Sequence, residues 1–252
     1  GEILGVSAYL TKPFQKNDLK ASVDIAINNA KIKKEQETIA KFVAADTIRA
    51  VNNMIDGDGD VKKGESKFIS VLFSDICDFS PKCEKFSARK IVKLLNTYFD
   101  LMVEVLSKHD AIIDKFIGDA IVARFDSGNV ETDAKNAIMA AWKMCDELKK
   151  FNLDSFEEIQ CRICINSVEV ILGSLGCERH RLEYAMIGDN VNIGQRLESS
   201  APKQGIMLSE ATYNLVQKHA IVGERQEVEL KGKKEKIPAY VLEGISSDNS
   251  NF

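Results

Sequence analysis

Two stretches of this chain end an apolar run on a carboxylate. In KFISVLFSDICDFS, residues 67–80, a β-branched and aromatic pattern stops at Asp75. In IIDKFIGDAIVARF, residues 112–125, Asp119 follows Gly118. Two carboxylates held side by side repel, and each raises the other's pKa unless a cation lies between them. Oxygen ligands of this kind suit Mg²⁺ or Mn²⁺, and Mg²⁺ usually takes one or two carboxylates together with substrate phosphates. Two such ions can clamp the attacking and leaving oxygens of a displacement at phosphorus. The competing reading is that both aspartates simply end strands, because Asp is a turn former. Spacing alone does not separate the two.

For the carboxylates to meet, the segments that carry them must be neighbours. A strand is predicted at 68–75, then an amphipathic helix at about 87–108 with Ile91, Leu94, Leu95, Tyr98, Phe99, Met102 and Val105 on one face. Two short strands, 111–116 and 119–125, flank the FIGD turn and read as a hairpin. A second helix spans about 131–150, followed by a strand at 161–172, the segment EYAMIG, and a helix at about 189–199. The strand GIMLS, a helix at 209–218 and closing strands near 226–230 and 237–242 complete the pattern. The βαββαβ order of the first half predicts an α+β sandwich with helices on one face of a mostly antiparallel sheet. In that topology the first strand and the hairpin adjoin.

Composition narrows the function classes. The 252 residues carry 44% apolar and 29% charged side chains, which predicts a packed core. A net charge of −4 lacks the basic footprint of a nucleic-acid binder, and no apolar run is long enough to span a membrane. GEILGVSAYLTK has neither a basic leader nor a long apolar stretch, and a first residue other than Met is expected of a cut fragment. Among the six cysteines, Cys161 and Cys164 form a CxxC, but residues three apart on a strand point to opposite faces and no second ligand pair accompanies them. They read as reduced thiols of a cytoplasmic protein.

Residues 18–55 are mostly helical in pattern, with Asn17 or Asp18 as cap. Val23, Ile27, Ala30, Ile39 and Val43 form an imperfect stripe that can pair two chains or pack on its own domain. MIDGDGDVKKGES, residues 54–66, is the clearest linker. Its D-G-D-G-D run lacks a calcium loop's acidic ligand at position 12, where Lys67 falls.

FSDICDFS, DKFIGDAIVARF and YAMIGDNVNIGQRLES, in that order, resemble the catalytic domain of class III adenylate and guanylate cyclases, from about 67 to 243. AKFVAADTIRAV, residues 40–51, resembles the segment that precedes this domain in bacterial cyclases. The resemblance implies a ferredoxin-like fold with added strands, working as a head-to-tail homodimer with two active sites built from both chains. It implies that Asp75 and Asp119, helped by the Ile76 carbonyl, bind two ions, Mg²⁺ or Mn²⁺. One ion activates the ribose 3′-hydroxyl of ATP and the other grips the triphosphate. From the partner chain, Lys115 matches the position that reads the purine, with Ala185 as second reader. Asn192 and Arg196, four apart on one helix face, match the pair that orients the ribose and stabilises the transition state. Lys233 matches a triphosphate-binding lysine, with Lys231 the next candidate. Phe79 lies in the loop whose backbone N–H groups wrap the phosphates.

Lys115 favours adenine, because an ammonium donates to the bare N1 of adenine and not to the protonated N1 of guanine. A guanine site normally carries glutamate there. Ala185 departs from the family's usual Asp, Thr or Cys and cannot accept from the adenine amino group, a loss on the order of 1 kcal/mol. Asp78 stands where glycine is common and would repel the triphosphate if it points inward, although Asp tolerates unusual backbone angles. Val168 replaces another usual glycine and reads as a packing change. The expected activity is adenylate cyclase. The alternatives are a catalytically weak, nucleotide-sensing or dimerising module and, disfavoured by Lys115, a guanylate cyclase. A diguanylate cyclase shares the metal logic, but its GGDEF signature is missing.

GVSAYLTKPFQKNDLKASV resembles the end of a response-regulator receiver domain, with Lys12 matching the lysine that contacts the phosphorylated aspartate. The expected organisation is therefore a receiver remnant at 1–20, a helical transducer at 21–66, a cyclase domain at 67–245 and a tail at 246–252. A sensor histidine kinase would act through the missing receiver.

Overall fold

The computed structural model describes residues 13–40, 43, 45–55, 64–155, 157–177, 180–230, 232–233 and 235–246. Lys12, Lys231, the body of the receiver-like segment and the D-G-D-G-D run lie outside them. The chain divides into two units, residues 1–49 and 50–252. In the first, α1 (Lys16–Ala40) buries no residue, and Val23, Ile27 and Ile39 of the predicted stripe are exposed. Asp18 lies inside its first turn, where its carboxylate accepts from the Gln15 N–H at 2.9 Å, so it supports the helix start from within. The predicted single helix is two, since α2 (Ala45–Ile55) is separate.

Among the described residues, the second unit is built on a nine-stranded sheet in the order β2-β3-β1-β4-β6-β9-β7, with β5 on β4 and β8 on β9. β1 (Glu65–Ile76) lies antiparallel between β3 (Ala120–Phe125) and β4 (Cys161–Cys177), and β3 pairs with β2 (Ile112–Ile117). With the crossing helices α4 (Ala88–Lys108) and α5 (Val130–Asp154), this β4-β1-β3-β2 block is the expected βαββαβ core. Asn129 caps α5 by accepting from the Thr132 N–H at 3.0 Å. β6 (Gly205–Ser209), β8 (Gln226–Val228) and β9 (Ile237–Ile245) extend the sheet, and α7 (Glu210–Val216) follows β6, all as expected. Three elements were not read from the sequence: α3 (Phe79–Lys85), β5 (Arg181–Ile187) and β7 (Ala220–Val222).

Alternation along β1 divides the core. Leu72 and Ile76 face α4 and α5 in the main cluster, where Tyr98 Oη and Ser74 Oγ satisfy each other at 2.8 Å. Ile69, Val71 and Phe73 face the other way, with Val168 and Val170. Val168 is a packing residue of that second cluster, as expected. Cys161 lies in the main cluster and Cys164 in a third, with Leu197 and Met207, so the CxxC pair is split across the sheet.

The helices of the βαββαβ block cover one face. α6 (Asp189–Glu198) covers the opposite one, and it gets close because Gly194 has no side chain. A Cβ there would stand 2.5 Å from the Phe73 ring and 3.1 Å from Asn166 Cβ. Gly194→Ala is expected to lower the urea midpoint. The overpacking cost of about 1–3 kcal/mol exceeds the helix-propensity gain of up to about 1 kcal/mol.

Candidate active site

Asp75 follows Phe73 by two residues on β1, so alternation turns it to the α6 side of the sheet. Asp119 sits in the β2–β3 turn, which Gly118 makes possible at φ +65°. Antiparallel pairing of β1 with β3 brings the turn beside the end of β1, and the two aspartates line one cavity of about 260 Å³ with Phe73, Gln195 and Glu198. Burial, reinforced by the Asp75 carboxylate, pushes the Asp119 carboxyl up to about 6, while backbone hydrogen bonds at Asp119 and Ile76 pull it down. Asp119 Oδ2 is buried without a hydrogen-bond partner.

Glu198 was not singled out from the sequence. It is 6% exposed, its Oε1 is also buried without a partner, and burial with the nearby Asp75 charge pushes it up to about 7. Arg162, opposite Asp75 in the β1–β4 register, offsets part of that shift. The signal was present: Glu198 lies four residues after Gly194, on the stripe of α6 that meets the sheet.

A buried carboxylate oxygen without a partner, beside a second carboxylate, fits a hard divalent cation. Among the described residues no three His, Cys, Asp or Glu side chains converge as a metal-binding group. Asp75 and Asp119 supply two carboxylates to the cavity, the number Mg²⁺ usually takes beside substrate phosphates.

Lys115 belongs to a second group. β2 pairs Ile113 with Ala123 and Lys115 with Val122, so Asp114 is an extra residue, a β-bulge. Ala123 belongs to the main cluster and Val122 to the second. The bulge therefore turns Lys115 onto the α6 side, in the row of Val122 and Phe73. Its ammonium lies 2.9 Å from Glu183 Oε1 and 3.6 Å from Asp114 Oδ2. Asp114 is buried against Arg124, 3.6 Å away, and burial raises its pKa. Ala185 is buried on β5.

The third group gathers on the outer side of α6. Asn192 and Arg196 are exposed, and the Arg196 guanidinium approaches Gly232. Lys233 is ion-paired to Asp189 in the first turn of α6. At about 100° per residue, Arg196 and Glu198 are some 200° apart around the helix axis. The same helix aims Glu198 into the Asp75–Asp119 cavity and Arg196 away from it.

The loop after β1 turns the Asp78 carboxylate to a lysine. Asp78 adopts the left-handed conformation at φ 55°, and its carboxylate meets Lys203 Nζ, 2.5 Å away. That hydrogen bond holds its pKa below the usual range. Ile76 is buried at the end of β1, and Phe79 packs at the edge of the main cluster.

A model of the adenylate and guanylate cyclase catalytic domain matches residues 61–244. The chain belongs to that family. It is 30% identical to the terminal-differentiation-specific adenylate cyclase of Dictyostelium discoideum over 190 residues, 72% of this chain and 9% of that protein. The adenylyl cyclase CyaB from P. aeruginosa superposes with a TM-score of 0.68 at 26% identity, over 74% of this chain and 99% of that one. The guanylyl cyclase Cya2 does so with a TM-score of 0.69 at 28% identity, over 74% and 97%. These relatives include both base specificities, so the family fixes the class of protein and leaves the base open. Among the described residues no helix is long and apolar enough to cross a membrane.

Proposed function

We propose that this chain is an adenylate cyclase that converts ATP to 3′,5′-cyclic AMP and pyrophosphate in a homodimer with shared active sites. The observation that carries the reading is the Asp75–Asp119 pair, with its buried oxygen that lacks a partner. Together with the Ile76 carbonyl, these residues would hold two divalent ions. Bound there, Mg²⁺ or Mn²⁺ supplies the charge that lowers the pKa of the ribose 3′-hydroxyl and neutralises the triphosphate.

The other roles belong to protein groups. Arg196 offers a permanent charge and a fork for the charge that develops on the α-phosphate, and Asn192, one turn away, orients the ribose. Lys233, beside the start of the same helix, meets the triphosphate, with Lys231 as its neighbour in sequence. Phe79 and the backbone of its loop border the phosphates. Because α6 directs Arg196 away from its own carboxylate cavity, Arg196 serves the cavity of a second chain. Exposed apolar residues on the β2–β3 hairpin and on β4 and β5, Phe116, Ile117, Leu175 and Ile187, support such an interface.

Lys115 sets the base, with Ala185 on β5 as the second position assigned to it. Cyclic products from ATP and from GTP, measured for the wild type and Lys115→Glu, test this. The variant is expected to lose at least about tenfold in ATP turnover, as a misplaced charge removes one charged hydrogen bond, and to gain on GTP. Unchanged preference in the variant would contradict the assignment. The catalytic unit is assigned to 67–245, the transducer to 21–66 and the tail to 246–252. Residues 1–20 are assigned to the end of a receiver domain by their resemblance to one; a histidine kinase would regulate the enzyme by phosphorylating such a receiver.

A further inference from the structure

Ala185, the second position assigned to the base, carries no polar side chain, yet a carboxylate, Glu183, stands two residues before it. Glu183 and Ala185 are two apart on β5 and share one face of the strand. Tyr184 and Met186, which alternate with them, pack on the second cluster. β4 pairs Gly173 with Ala185 and Leu175 with Glu183, so Glu183 is one pleat further along the same strand. Its Oε1 lies 2.9 Å from Lys115 Nζ. The side chain is half exposed.

We propose that Glu183 is the specificity-determining carboxylate of the purine pocket, accepting the adenine 6-amino group in place of the apolar Ala185. The inference rests on the assignment of Lys115 to the base. N1 and the 6-amino group are neighbours on one edge of adenine, so the acceptor for the amino group must lie beside the donor to N1. The Lys115–Glu183 pair is such a donor and acceptor in contact. An ammonium has three donors. Glu183 takes one, Asp114 lies against a second, and the third can be given to N1. Guanine presents a carbonyl oxygen at position 6, and a carboxylate facing it is acceptor against acceptor. Glu183 thus adds to the discrimination that Lys115 begins.

The test is competition binding with a fluorescent ATP analogue in Mg²⁺, using the full chain and three competitors: ATP, GTP and purine riboside triphosphate, which lacks the 6-amino group. The wild type is expected to favour ATP over purine riboside triphosphate by up to about tenfold, the range of one hydrogen bond. Glu183→Ala should bring that ratio close to one and raise the relative affinity for GTP. Adding Ala185→Asp to Glu183→Ala should restore the ratio, because Asp then supplies the acceptor from the neighbouring position. A ratio that survives in Glu183→Ala overturns the proposal. So does an equal loss for ATP and purine riboside triphosphate, which would make Glu183 only a support for Lys115. Cyclic product is measured separately. A chain that discriminates in binding but makes no cyclic AMP loses the adenylate cyclase reading and keeps this one. A chain that makes cyclic AMP without discriminating loses this one alone.

Discussion

Asp119→Asn is expected to abolish cyclic AMP formation and, in the absence of divalent cations, to raise the melting temperature. The activity loss is expected to be about three orders of magnitude, as for removal of a group that stabilises charge in the transition state. The stability gain follows from the pKa. In the folded chain the Asp119 carboxyl is held near 6, above the value of about 4 it has when unfolded. Below about pH 4 both states are protonated and this group contributes nothing. Between about 4 and 6 the unfolded state binds fewer protons, so stability falls as pH rises, and above about 6 the penalty is full. Asparagine removes it. Wild type and variant should melt together near pH 4 and diverge at neutral pH. Mg²⁺ should raise the wild-type melting temperature and leave the variant unmoved. Equal melting at pH 7.5 without cation would show that Asp119 is not strained by Asp75 and burial.

Mixing two dead variants is expected to restore activity. Asp119→Ala removes the cation side of a site, and Arg196→Ala removes the charge donated to the other chain's site. Each homodimer lacks one of these in both of its sites. In a mixed dimer one site takes its aspartates from the Arg196→Ala chain and its arginine from the Asp119→Ala chain, and is intact. With random pairing half of the dimers are mixed, each with one of two sites working, so about a quarter of wild-type activity should return. The expectation rests on α6, whose two sides hold Glu198 against its own cavity and Arg196 away from it. Assay of the separate and mixed chains after exchange decides it. If Arg196 served its own chain's cavity, no mixture would exceed the sum of its parts.

Much of this architecture was legible in the sequence, because long elements with strong periodicity write their faces into it. α4 and α5 lie close to their predicted limits, and the β1 and β3 runs put Asp75 and Asp119 where expected. Some short elements were not legible, although α7 and β8, equally short, were read. α3 and β7, at seven and three residues, are too brief for a period to emerge. The bulge at Asp114 was hidden for a different reason. It is a property of the register between β2 and β3, and no local pattern in IIDKFIGD distinguishes it from plain alternation. Yet it decides which face Lys115 reaches. In the sequence Asp78 stands where glycine is common and reads as a threat to the phosphates. Its ion pair with Lys203, 125 residues on, is tertiary and could not be foreseen. Glu198 stands inside a recognised motif and Glu183 immediately before it, and neither is singled out by the sequence, because their significance lies in partners that only the fold supplies.

The central claim is most directly tested by giving the chain ATP and GTP together at equal concentration, with Mg²⁺, and identifying the cyclic product by mass. Predominant 3′,5′-cyclic AMP, with pyrophosphate in equal amount and none of either from Asp119→Asn, is the predicted result. Predominant cyclic GMP would contradict the assignment of Lys115 and Glu183 to adenine. No cyclic product from a chain that sediments as a dimer would contradict the cyclase activity itself.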